Sequence, residues 1–258
     1  MSSSIWTRCA AGSSPSGASR IVRPLRLSPW RAVEAQHQVS TRKLVDSAEE
    51  QILLEELIDR AKPPDVTRGR LHYLLSTPFR YPPLRHGSRF GKRYERGIWY
   101  GSETRATAFA EVAYYRFLFL EGTRAELGVV TTQLTAFTVR ARSMRGVDLL
   151  SPAFDPHRRA IASPARYAAT QALGADMRAA GVELIRYPSA RDPEGGVNVA
   201  AFSPGVFGAA KPRSFETWHC TATRVMVEFA MRDYFKRATH AFRRESFLVG
   251  GELPAPAL

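Results

Sequence analysis

Cysteine is nearly absent from this chain: Cys9 and Cys220 are the two in 258 residues. They are too few and too far apart for a disulfide framework, which excludes a stapled secreted scaffold. The six histidines and these two cysteines show no metal-ligand spacing, so no metal is expected. No apolar run approaches the length of a bilayer span; no membrane association is expected, and the chain is assigned to the cytoplasm. There is no internal repeat, no Walker loop and no G-x-G-x-x-G, which excludes a dinucleotide bound on a doubly wound sheet. Acidic residues are also missing up to Val33, against five arginines in the same stretch.

Hydrophobic residues make up 44% of the sequence, enough for a real core and against global disorder. The formal charge is +13, which points to nucleic acid, an anionic ligand or an acidic partner, or simply to a solvated arginine-rich surface. The densest basic stretch carries Arg80, Arg85, Arg89, Lys92, Arg93 and Arg96. Such a compact set suits a phosphate-bearing ligand better than a diffuse nucleic-acid footprint.

The chain divides into four parts by composition. Residues 1–27, rich in Ser, Gly, Arg and Pro, read as a disordered tail that is dispensable for folding. They have a transit-peptide flavour, arginine- and serine-rich and acid-free. Residues 28–66 read as a helical extension that starts its main helix at Thr41 or Ser47, packs on the domain that follows, and stops at Pro63-Pro64. Residues 67–245 hold the main folded domain, and 246–258 a frayed tail. Within the domain, 71–75 reads as a strand, followed by a stiff proline-rich loop that presents Arg80 and Tyr81. Further strands are expected at 98–100, 128–140, 147–150, 182–187 and 198–202, and between 213 and 227. Residues 151–163 read as a loop and 231–242 as helical.

The domain is organised around residues 87–120. Gly101-Ser102 turns the chain after a short strand, and Ser102 is a candidate cap for a helix over 103–119. Ala106, Phe109, Ala110, Ala113 and Phe117 form that helix's core stripe. Glu111 points roughly 100° off the stripe; taken alone it reads as a solvated helix-face carboxylate. A second stretch, 166–202, gives an alanine-rich helix ended by Gly181, a strand, the turn Pro188-Ser189-Ala190-Arg191 and another strand. Ser189 thus sits just past a strand end, where loops carry function.

The order Arg89, Tyr100, Glu111 and then YPSAR with Ser189 resembles the RES domain family, over about residues 71–202. The resemblance implies an α+β fold like that of mono-ADP-ribosyltransferases: a curved, mostly antiparallel sheet with flanking helices, here with an N-terminal helical extension. It implies an enzyme that consumes NAD as substrate and needs no further cofactor, splitting it by hydrolysis or phosphorolysis. It also implies a place in a toxin–antitoxin pair, with a cognate helix-turn-helix antitoxin as partner. One branch of the family transfers ADP-ribose to a protein instead. Homo-oligomers are a further expected association. An ADP-ribosyltransferase with a macromolecular acceptor and a non-catalytic basic binding protein are the alternatives.

The chemistry assigns roles. Cleaving the nicotinamide–ribose bond develops an oxocarbenium-like cation, which a carboxylate stabilises; Glu111 is the candidate. An arginine fork suits pyrophosphate, and Arg89 fits, with Arg80 a second candidate for NAD binding. Tyr100 is placed to stack on nicotinamide, and Ser189 to anchor a phosphate or ribose. Ser189 is not read as a nucleophile, because no histidine base is indicated near it.

Overall fold

The computed structural model describes residues 4–11, 21–35, 44–67, 69–83, 85–233 and 235–255. Along its outer strands buried and exposed side chains alternate, whereas Val197–Ala201 in the middle is buried on both faces. In Arg213–Ala222, for example, Trp218, Cys220 and Ala222 are buried, while His219 is exposed and Thr217 half-buried, as a pleated surface with one wet face requires. Ten strands form one sheet: β1 (Val22–Leu27), β2 (Trp30–Glu34), β3 (Trp99–Ser102), β4 (Val130–Thr138), β5 (Ala141–Asp148), β6 (Leu184–Pro188), β7 (Val197–Ala201), β8 (Arg213–Ala222), β9 (Met226–Met231) and β10 (Thr239–Arg243). Their spatial order is β1-β5-β6-β7-β3-β2-β4-β8-β9-β10. Every pairing is antiparallel except β5 with β6. Six α-helices accompany the sheet among the described residues: α1 (Ile5–Ala11), α2 (Ala48–Ala61), α3 (Tyr73–Arg80), α4 (Arg105–Gly122), α5 (Arg158–Ile161) and α6 (Ala168–Ala179). The class is α+β. None of these helices is long and apolar enough to cross a membrane.

The sheet is curled. Four strands stand between β1 and β2 in the spatial order, yet only Ser28 and Pro29 separate them in sequence. Leu27 pairs with Ala141 and Trp30 with Thr138, so the β1–β2 segment runs alongside the β5–β4 segment through a shared bend. A flat sheet cannot meet both constraints. The concave side encloses Leu25, Trp99, Phe137, Val139, Leu184 and Val199, sealed by Leu75 and Phe79 of α3. On the other face, α1 and α6 cover the β5–β7 region, and α4 covers the β4–β10 region through Phe109, Ala113 and Phe117.

Several expectations are corrected. The tail expected to be disordered contributes α1, with Ile5, Trp6 and Cys9 buried, and edge strand β1. Pro24 is accommodated because the β1–β5 register shifts between Arg23 and Leu25, where no ladder donor is needed. Residues 1–3 and 12–20 lie outside the described residues. The extension expected to be helical begins as strand β2, in the middle of the sheet. Its helix, α2, starts at Ser47, whose hydroxyl accepts from the amide of Glu50; the alternative start, Thr41, lies outside the described residues. α2 buries none of its residues, contrary to the packing role expected for it. The strand expected at 71–75 is replaced by α3: His72 Nδ1 accepts from the Leu74 amide, and Leu75 and Phe79 share one buried helical face. The helix expected over 231–242 is the β9–β10 hairpin, in which Phe229 pairs with His240 and packs in the α4 core. The loop at 151–163 carries a 3-10 turn and α5, burying Phe154 and Ile161. The expected C-terminal tail is tied down as far as Pro254, whose carbonyl accepts from Tyr114 Oη at 2.5 Å.

Candidate active site

The site is built where β3, β6 and β7 end beside α4. Trp99 and Tyr100 point to opposite faces of β3, as adjacent strand residues do. Trp99 enters the concave core, and Tyr100 faces the side of α1 and α6. Ser102 faces the same side as Tyr100. It does not cap α4; Thr104 does, accepting from the Thr107 amide at 3.1 Å. Ser102 is paired with Asn198 across β3–β7, and its hydroxyl donates to Asn198 Oδ1 at 2.7 Å. That bond turns the Asn198 amide nitrogen outward, where it donates to Glu111 Oε1 at 2.5 Å.

Ser189 donates to the same Glu111 oxygen at 2.7 Å. Its own Oγ accepts from the amides of Arg191 at 3.1 Å and Asp192 at 3.0 Å. The hydroxyl is therefore fully engaged: it holds the Glu111 carboxylate instead of standing open to a phosphate. Glu111 is half-buried, and among the described residues its second oxygen, Oε2, accepts no hydrogen bond. One oxygen is fixed and the other is left for a ligand.

Arg89 sits in a tight loop closed by the amide of Ser88 donating to Gly91 O at 2.7 Å. Gln171 of α6 holds this loop through the carbonyls of His86 and Ser88. Gly174 on the same helix allows the close approach, since a Cβ there would lie 2.0 Å from Phe90 O. Arg89 is buried. It donates to the carbonyls of Ile161 at 3.1 Å and Ser163 at 2.9 Å, and its guanidinium lies 4.8 Å from the Tyr167 ring centroid. Tyr100 Oη ties into the loop as well, donating to Ser88 Oγ and accepting from the Phe90 amide. Burial pushes its phenol up to about 12.

Arg191 was not foreseen as a site residue. It is 5% exposed, lies 3.5 Å over the Tyr114 ring and reaches Tyr167 Oη at 3.5 Å. Tyr167 thus touches both arginines, one with its face and one with its hydroxyl. Among the described residues neither Arg89 nor Arg191 forms an ion pair with a carboxylate. A buried, unneutralised guanidinium is costly, and two that share Tyr167 make a place for an anion. Burial raises the phenols of Tyr114 and Tyr187, and the charges of Arg89 and Glu111 act on both rings.

Four of the expected residues, Arg89, Tyr100, Glu111 and Ser189, come to this face of the sheet. Arg80 does not. It ends α3, which seals the concave core on the opposite face, and its Nε is held by the Pro63 carbonyl. Arg191, Tyr167, Asn198 and Tyr114 were missed. Asn198 left a trace in the sequence, as the one polar residue in the apolar run VNVAA. Among the described residues no group of three His, Cys, Asp or Glu side chains could hold a metal ion.

The family model of the RES domain matches residues 62–223, more than half of the chain. The chain belongs to the RES domain family. The match takes in α3 through β8, and with them every residue of the candidate site described above. Membership suggests a NAD-related, toxin-like domain, and is compatible with an enzyme acting on NAD. No curated protein matches the chain.

Proposed function

We propose that this RES protein is an enzyme that cleaves the nicotinamide–ribose bond of NAD, with a fold of the ADP-ribosyltransferase type. The observation that carries the reading is Glu111: one oxygen fixed by Ser189 and Asn198, the other free, beside two buried arginines without carboxylate partners. Arg89 and Arg191 bind the pyrophosphate, whose charge supplies what the guanidinium groups lack. The aromatic set around Tyr100 takes the nicotinamide end. The free oxygen of Glu111 faces the ribose and stabilises the cation that forms as the C–N bond breaks. Nicotinamide leaves with the bonding electron pair. Water then adds at the anomeric carbon and releases a proton to solvent, or phosphate adds in its place. NAD is the substrate, and no cofactor takes part. A toxin role with a helix-turn-helix antitoxin in the cytoplasm is the biological setting proposed.

A second reading has its own support. Tyr115 and Phe119, one and two turns beyond Glu111 on α4, are 53% and 52% exposed, and would give a macromolecular acceptor a landing strip beside the carboxylate. The test is to incubate the purified protein with NAD and follow nicotinamide, with water alone, with phosphate, and with candidate acceptor proteins. Free ADP-ribose marks hydrolysis, ADP-ribose 1″-phosphate marks phosphorolysis, and labelled protein marks transfer. No nicotinamide in any arm overturns the proposal.

A further inference from the structure

Two surfaces of this chain lack cover, and they complement each other. The first is α2. Its cap at Ser47 is well made, yet Ile52, Leu53 and Leu57 are 61%, 57% and 52% exposed. A helix of 14 residues is about 21 Å long and marginal in water unless an apolar face is covered. α2 also carries five carboxylates against one cation, a formal −4 in a chain of +13, which leaves +17 on the remainder. Just beyond it, the Pro63 carbonyl is held by Arg80 of α3. Its C-terminal end is thus anchored to its own body while its leucines stay uncovered.

The second surface is the tip of the β9–β10 hairpin. Phe235 is 97% exposed. It is held out by a built turn, in which Asp233 accepts from the amides of Phe235 and Lys236 at 2.8 and 3.0 Å. Arg232, Lys236 and Arg237 flank it in the same turn, all exposed and none in an ion pair among the described residues. Where β9 enters that turn, a shallow depression on the wet face of the sheet is lined by Gln133, Thr217, His219, Met231, Arg232 and Asp233.

We propose that α2 docks on the basic β9–β10 hairpin of a second copy of this chain, giving a two-fold symmetric dimer. The acidic flank of α2 meets the hairpin's cations, and its leucines meet Phe235 and the depression beside it. One helix face is small against the roughly 1,200 Å² of a specific stable interface. In the symmetric form each copy gives its helix and receives its partner's, so the contact is doubled. The dimer is partly electrostatic and weakens as salt rises. It stands independently of the activity proposed above.

Sedimentation velocity on the full chain should show a dimer at low salt and more monomer at high salt. Leu53→Asp with Leu57→Asp, and separately Lys236→Glu with Arg237→Glu, should each give monomers with unchanged circular dichroism. The contact itself is read by mixing Leu57→Cys protein with Phe235→Cys protein under mild oxidation, since the native Cys9 and Cys220 are buried. A cross-linked species of twice the mass in the mixture, and not in either variant alone, is the expected result. Three results overturn the proposal: a monomer at all salts; cross-linking of the Leu57→Cys variant to itself, which means helix-to-helix pairing; and closure within one chain carrying both cysteines.

Discussion

Glu111→Gln keeps the shape of the side chain and removes its charge. If the carboxylate acts on the developing cation, nicotinamide release should fall on the order of 10²–10³-fold while NAD affinity stays near that of the parent; release at the parent rate would return Glu111 to an ordinary helix-face role. Arg191→Lys keeps a charge but loses the planar fork. It should weaken NAD binding about tenfold, ~1.4 kcal/mol, measured by calorimetry on the Glu111→Gln background, where NAD survives. Ser189→Ala separates two roles. If Ser189 positions Glu111, kcat falls and KM barely moves; if it anchors substrate, KM rises. Tyr100 gives a pH signature. Its phenol is raised from 10.0 to about 12 by burial, so the folded state favours the neutral form. That stability is fully present below the unfolded value of 10.0 and lost as pH climbs toward about 12. The melting temperature should be level through neutral pH and fall over that alkaline window, less steeply in Tyr100→Phe. Arg89, Tyr100, Glu111 and Ser189 were legible because each stands at an element end or off a core stripe, in the family's order. Arg191 was not, because burial under Tyr114 is a tertiary fact, and in the sequence it is one arginine among many. Arg80 was misread because closeness in sequence to Arg89 says nothing about which face of the sheet a residue reaches.

At the scale of elements, α4 and α6 were legible within a few residues, since helical spacing of apolar side chains is a local signal. The exchanges came where the deciding partner lies far along the chain. β1 reads as an arginine- and proline-broken stretch until β5 pairs with it. The hairpin β9–β10 reads as helical until α4 shows which side of it is buried. Deletion of residues 1–27 is therefore expected to be harmful. It removes the edge strand, the buried Ile5, Trp6 and Leu25, and the 2.5 Å ion pair of Arg23 with the buried Asp148. Leu25 alone is worth ~1.5–3 kcal/mol by burial. A clear drop in melting temperature, or loss of soluble protein, is the expected outcome; an unchanged transition would show that β1 is not part of the stable fold. Gly174→Ala tests how α6 holds the Arg89 loop. The added methyl meets the Phe90 carbonyl at 2.0 Å, so the loop must shift, and NAD affinity should drop together with thermal stability.

For the whole molecule, the curl of the sheet sets a schedule. β1 and β2 leave the ribosome long before β4 and β5, and β1 pairs with a strand made much later, Leu27 with Ala141 and Val22 with Val147. At translation rates of ~5–20 residues per second the early strands wait on the order of ten seconds for their partners. Glu111 is made later and waits a shorter time, but it is completed last, since the groups that fix it, Ser189 and Asn198, come after β5 and β6. A nascent chain therefore carries its carboxylate unheld and its arginines unassembled until Asn198 has been made. Ribosome-stalled chains of increasing length should show no nicotinamide release before β7 has emerged, then an abrupt onset. On the proposed chemistry, a cell translating this message meets no NAD cleavage from a chain that stops short of β7.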